Sequence, residues 1–133
     1  MLSIDLDGND LHILAELLGR GVRPRLVIAE YNARFPAGVE FCVEYEAERT
    51  WGGDDHFGAS LHSFCLLLGR HGYRLVCCNA ATGANAFFVR QEHAARFPEV
   101  PAEEALIHAE PFYHLPGRKG HPASLRTILR MIA

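Results

Sequence analysis

The chain has no long hydrophobic run. No apolar stretch approaches the ~20 residues needed to cross a bilayer, and no secretory leader is recognisable, so a soluble, cytoplasmic protein without membrane contact is expected. Basic residues are scattered, with only a short pair at Arg118-Lys119. The net charge of −3 and pI near 6.2 argue against the clustered basic face of a nucleic-acid binder. G-x-S-x-G, the P-loop and G-x-G-x-x-G are all missing, which disfavours a serine hydrolase, an NTPase and a complete dinucleotide site. The four cysteines, Cys42, Cys65, Cys77 and Cys78, show no C-x-x-C spacing, and adjacent Cys77 and Cys78 would point to opposite faces of a strand. Buried free thiols in a reducing compartment are expected rather than a disulfide or metal pair. The histidines have no H-x-x-x-H ligand spacing, so surface or loop positions are their default.

What is present is ordinary for a folded domain. The 133 residues are 49% hydrophobic and 22% charged, enough for a core but short for a nucleotide-binding α/β enzyme. Leu2-Ser3-Ile4-Asp5-Leu6-Asp7-Gly8-Asn9-Asp10 reads as a buried strand running straight into an acidic, glycine-containing turn. Leu11, Ile13, Leu14, Leu17 and Leu18 follow at helical spacing, and Gly19-Arg20-Gly21 supplies a stop. Arg25–Tyr31 is a second strand, continuously apolar until Glu30, the pattern of a strand covered on both faces. Strand, helix, strand in about 30 residues is a βαβ unit with parallel neighbours.

Residues 32–56 carry little periodicity beyond a possible extended piece at Val39–Tyr45, and loops of this length are usually functional or mobile. Leu61, Phe64, Cys65 and Leu68 mark a second helix, ended by Gly69 to Gly72. Tyr73–Cys78 and Asn85–Arg90 read as a hairpin joined by a turn at Asn79 to Gly83. Beyond Arg96 five prolines break the chain into an irregular tail, with a terminal helix only at Ser124 to Ile132. The expectation is therefore an α/β domain over residues 1–95 and a tail over 96–133.

In open α/β sheets ligands bind beyond the carboxyl ends of the strands. Asp5 and Asp7 close the first strand, and Glu30, Tyr31 and Asn32 close the second. If the strands are neighbours, three carboxylates and an amide share one rim, and close carboxylates push each other's pKa apart. A sharp strand-to-helix turn is built from the same residue types, and capping is the favoured reading of Asn9 and Asp10. Asp5 is open to either role, and Glu30 is similar. A calcium loop is disfavoured, because Asp10 stands where an EF-hand needs glycine and a strand precedes it. A second cluster, Trp51-Gly52-Gly53-Asp54-Asp55-His56-Phe57-Gly58-Ala59-Ser60, leads into a helix N-terminus able to hold an anion. N-capping is the favoured reading of Asp54 and Asp55; His56 is the better candidate for chemistry, because an imidazole ring can act near neutral pH.

Together, Ile4-Asp5-Leu6-Asp7-Gly8-Asn9-Asp10, Pro24–Asn32, Phe57-Gly58-Ala59-Ser60-Leu61, Gly72–Val76 and Asn85–Val89 resemble the C-terminal half of FkbM-type methyltransferases. These are class I S-adenosylmethionine-dependent enzymes that typically act on oxygen. The resemblance covers about residues 2 to 90 and implies half of a Rossmann-like sheet whose last strand is antiparallel. It implies Asp5, Asp7 and Glu30 as catalytic residues lining the crevice near the donor methyl, with Asp7 standing where glutamate is more usual. Asn9, Tyr31, Asn32, Trp51 and His56 are the substrate-binding candidates, S-adenosylmethionine the cofactor, and a small-molecule hydroxyl compound the acceptor. The family's glycine-rich turn after its first strand has no counterpart here, which implies a chain short of its donor-binding half. The alternative is a non-catalytic module that pairs with a second copy or a partner chain through the first-strand edge.

Overall fold

The computed structural model describes residues 1–79, 84–97 and 124–132. Its elements are β1 (Leu2–Ile4), α1 (Asp10–Gly19), β2 (Leu26–Glu30), α2 (Leu61–Arg70), β3 (Tyr73–Cys78), β4 (Asn85–Arg90), a 3-10 helix over Gln91–Arg96, and α3 (Leu125–Ile132). The strands form one open mixed sheet in the order β1-β2-β4-β3. β1 pairs parallel with β2, and β4 is antiparallel to both β2 and β3, so β4 alone runs against the other three. The α/β class, the βαβ unit and the antiparallel hairpin all stand as read from the sequence. The hairpin turn at 80–83 and the proline-rich stretch at 98–123 lie outside the described residues.

The core forms where one face of the sheet meets α1 and α2. Val27 and Ala29 of β2 alternate inward, and their register partners Phe88 and Ala86 lie on the same face. Leu14 and Leu18 of α1 and Leu61, Phe64 and Leu68 of α2 cover them, each almost fully buried. Leu26, Ile28 and Glu30 point to the other face and are only partly buried. That corrects the expectation of a strand covered on both faces: the apolar run is continuous, but only every second residue is fully enclosed. β1 is likewise shorter and more open than expected, with Ser3 exposed and Asp5 beyond the strand.

Two local expectations change as well. α2 is capped by Ser60, whose hydroxyl accepts the Ser63 N–H at 3.2 Å, and not by Asp54 or Asp55. That helix end is buried and satisfied from within, so it offers no anion site. The long segment 32–60 is packed in its own right. It pairs Cys42 with Ala59 in an isolated antiparallel bridge and stacks Phe35 on Phe41 at 4.1 Å between ring centres. With Val43 they make a second small core, against which Val39 and Met131 pack. Three contacts fix α3 here: Met131 against that core, the Arg130 guanidinium on the Glu40 carbonyl, and Asp55 receiving the Ser124 N–H at 2.7 Å; Ser124 in turn caps the helix by accepting the Thr127 N–H. Among the cysteines, Cys77 is exposed and the other three are partly buried, so the thiols are free, as expected, but none is fully enclosed.

Candidate functional site

The rim begins with the β1–α1 turn. Asp7 takes a left-handed conformation (φ +50°) and Gly8 a φ of +131°, which folds the turn back over the start of α1. Asp10, 2% exposed, holds this shape: its two carboxylate oxygens accept the N–H groups of Leu6 (2.9 Å) and Gly8 (3.0 Å). Burial pushes its carboxyl above the ordinary carboxylate range, against the pull of those two bonds. Asn9 occupies the N-cap position without capping; its amide donates to the Glu46 carbonyl at 2.8 Å instead. Capping, the favoured reading for both residues, thus gives way to a different structural role. Asp10 ties the turn to itself, and Asn9 ties it to the loop at Glu46.

With the turn fixed, the register of β1 and β2 decides what meets. Ile4 lies beside Ala29, and both face the helices. The next residues, Asp5 and Glu30, therefore fall side by side on the opposite, less covered face. Their side chains are hydrogen-bonded to each other. Burial, then repulsion from Asp5, Asp10 and Asp7, raises the Glu30 carboxyl to about 7. A carboxyl with this value retains its proton well above the ordinary range and can donate it to the Asp5 carboxylate. Asn85 stands opposite Glu30 across the β2–β4 ladder, hence on the same face. Sequence reasoning missed Asn85; a polar residue opening an apolar strand was the available signal.

The other nominated residues divide into two groups. Tyr31 and Asn32 turn inward: Tyr31 is 2% exposed within the main core, and Asn32 is wholly buried. The Asn32 amide donates to the carbonyls of Asp55 (2.8 Å) and Phe57 (3.0 Å) and accepts the Arg34 N–H (3.0 Å). Both of its amide hydrogens are spent on backbone, so it braces the long loop. Asp55, also buried, adds an ion pair with Arg34 at 3.1 Å.

Asp7, Trp51 and His56, by contrast, come together around a cavity of about 460 Å3 that is also lined by Arg49, Phe57 and Arg126. Trp51 is half exposed and is steadied by its indole N–H on the Asp54 carbonyl at 2.8 Å. The His56 N–H is taken by the Asp54 carboxylate at 2.9 Å, and its ring meets Phe41 edge-on. Arg49 donates to the Glu44 carbonyl and lies over the turn: a Cβ on Gly8 would stand 2.8 Å from Arg49 Cδ. The Arg49 side chain therefore covers the glycine face beside the rim.

A cysteine–histidine pair that sequence reasoning did not single out lies elsewhere. Cys42 Sγ is 3.4 Å from His12 Nε2, but both atoms converge on the Val43 carbonyl, at 3.2 and 2.8 Å. A ring nitrogen donating to a carbonyl cannot act as base toward the thiol. Burial raises the Cys42 thiol to about 11, so it stays protonated and unreactive. Among the described residues no cluster of three or more His, Cys, Asp or Glu has metal-binding geometry, and no helix is long and apolar enough to cross a membrane. No protein-family model, curated protein or solved structure matches the chain.

Proposed function

We propose that this chain is a methyltransferase-like domain, half of a Rossmann-like sheet, whose rim deprotonates a hydroxyl group on a small-molecule acceptor. The hydrogen-bonded pair of Asp5 and Glu30 at the shared carboxyl end of two parallel strands carries this reading. A base with a pKa near the working pH is efficient in proton transfer, and Glu30, at about 7, meets that condition. Its carboxylate takes the acceptor's proton and passes into the neutral form that Asp5 already supports by hydrogen bonding. The antiparallel β4 agrees with what the FkbM resemblance implies for the last strand of the sheet. S-adenosylmethionine would supply an electrophilic methyl group, and the acidic rim suits the positive charge of its sulfonium. Its adenosyl end finds no fit among the described residues, since Arg49 fills the glycine face beside the rim.

Calorimetric titration with S-adenosylmethionine, paired with label transfer to hydroxyl compounds, tests the reading. Transfer that rises through about pH 7 and disappears in Glu30→Gln supports it. No heat at millimolar donor overturns methyl transfer by this chain. A second reading, self-association, is favoured by the position of β1, which among the described residues ends the sheet and has a strand partner on one side only. A monomeric mass by sedimentation at micromolar protein would remove that alternative.

A further inference from the structure

We infer that the cavity between the β1–α1 turn and α3 binds an oxyanion, and that the acceptor is accordingly an anionic hydroxy compound with a flat or apolar body. This extends the acceptor-activation reading above, and it is tested without donor or turnover.

The inference comes from the hydrogen-bonding capacity left at the cavity wall. His56 Nδ1 is buried without a partner among the described residues. An orphaned buried N–H is worse than an orphaned lone pair, so the neutral ring carries its proton on Nε2, the nitrogen the cavity can reach. Arg49 Nε is likewise buried and unpartnered, and Arg49 Nη2 is spent on Glu44 and Glu46, which leaves Nη1 as its open donor. Arg126, exposed in the first turn of α3, has no ion-pair or hydrogen-bond partner among the described residues. Three donors, two of them on guanidinium groups, thus line one cavity without an acceptor. Carboxylate and phosphate are the groups that satisfy such a set, because guanidinium donates in parallel pairs. Asp7 lines the same cavity from the turn that carries the rim. Asp54 lines it too, and both carboxylates repel an anion, so the charged end settles toward Arg126 and Arg49 and leaves the remainder of the molecule elsewhere in the cavity. The Trp51 indole, held by its bond to Asp54, supplies a fixed flat wall for that remainder.

Trp51 is the chain's single tryptophan, so its fluorescence reports on this cavity alone. The full chain is titrated with phenyl phosphate, phenylacetate and the uncharged benzyl alcohol. Saturable change with at least one of the two anions, and none with benzyl alcohol at the same concentration, is expected; the tighter anion identifies the oxyanion. Arg126→Ala should weaken that binding about tenfold with unchanged thermal melting, because the side chain is exposed and contributes no described bond. Raised salt should weaken it too. Equal response to benzyl alcohol, no saturable response to either anion, or unchanged affinity in Arg126→Ala overturns the inference. Glu30→Gln should keep anion binding even where methyl transfer is lost, so the two readings fail separately.

Discussion

Replacing Glu30 by glutamine should stabilise the protein at alkaline pH and leave it nearly unchanged at acid pH. The Glu30 carboxyl titrates at about 7 in the fold, against an ordinary value of 4.5. Below the lower value both states are protonated and the folded pair with Asp5 contributes fully. Between the two values the unfolded chain has released its proton while the folded chain keeps it, so stability falls as pH rises. Above the upper value the fold bears a charged carboxylate beside Asp5, and the loss is complete. At about 1.4 kcal/mol per pH unit the interval sets a ceiling of roughly 3.5 kcal/mol; screening at this half-buried position brings the expected effect to about 1–2 kcal/mol.

Glutamine is neutral at every pH and keeps an N–H to donate to Asp5, so it mimics the protonated acid. For a chain of this length the gain corresponds to roughly 4–7 °C in melting temperature. Thermal unfolding of both proteins at about pH 5 and about pH 8.5 reads the difference directly. The variant should melt close to the parent at the lower pH and clearly above it at the higher. Equal melting at both pH values, or a variant that is the less stable at alkaline pH, would refute a protonated Glu30 held against Asp5.

Two further outcomes test the frame around the rim. Asn32→Ala should cost about 2–4 kcal/mol in urea denaturation, because the carbonyls of Asp55 and Phe57 and the N–H of Arg34 lose their partner inside the protein; a loss under about 0.5 kcal/mol, within the range of an ordinary surface substitution, would deny it the bracing role. Gly8→Ala should cost about 1–3 kcal/mol through the φ of +131°. Trimming the overlying side chain with Arg49→Ala should not restore it, since a flexible Arg49 Cδ can move whereas the backbone cannot; recovery in the double variant would place the cost in the contact instead.

The sequence was legible where one physical rule decided the outcome. Apolar periodicity located α1, α2 and the hairpin, because burying one face is what holds those segments in place. Polar residues with several possible partners were not legible. Asn9 and Asp10 both suit an N-cap, yet once Gly8 folds the turn back, Asp10 reaches two N–H groups ahead of its own helix and Asn9 reaches Glu46, 37 residues away. Residues 32–60 looked empty because their pattern is not periodic. Their order comes from Phe35, Phe41 and Val43 closing on one another and from single side chains, Asn32 and Asp55, that satisfy distant backbone. Arg49 and Arg126 could not be seen as neighbours at all, since what brings them to one cavity is the docking of α3 through Asp55 and Met131.

That contrast is also what separates chemistry from scaffolding here. Asp10, Asn32 and Asp55 are buried and have backbone or arginine partners, so their cost is offset where they stand and stability alone explains them. Asp5 and Glu30 have no such account. The register of β1 and β2 sets two carboxyl groups against each other on the less covered face of the sheet, with Asp7 and Asp10 adding repulsion. A leucine at position 30, like its same-face neighbours Leu26 and Ile28, would relieve that repulsion without disturbing the ladder. An arrangement that weakens the fold above neutral pH, and that a single apolar residue would remove, is what the proposed proton transfer from a hydroxyl acceptor would require: two acids that share a proton near neutral pH.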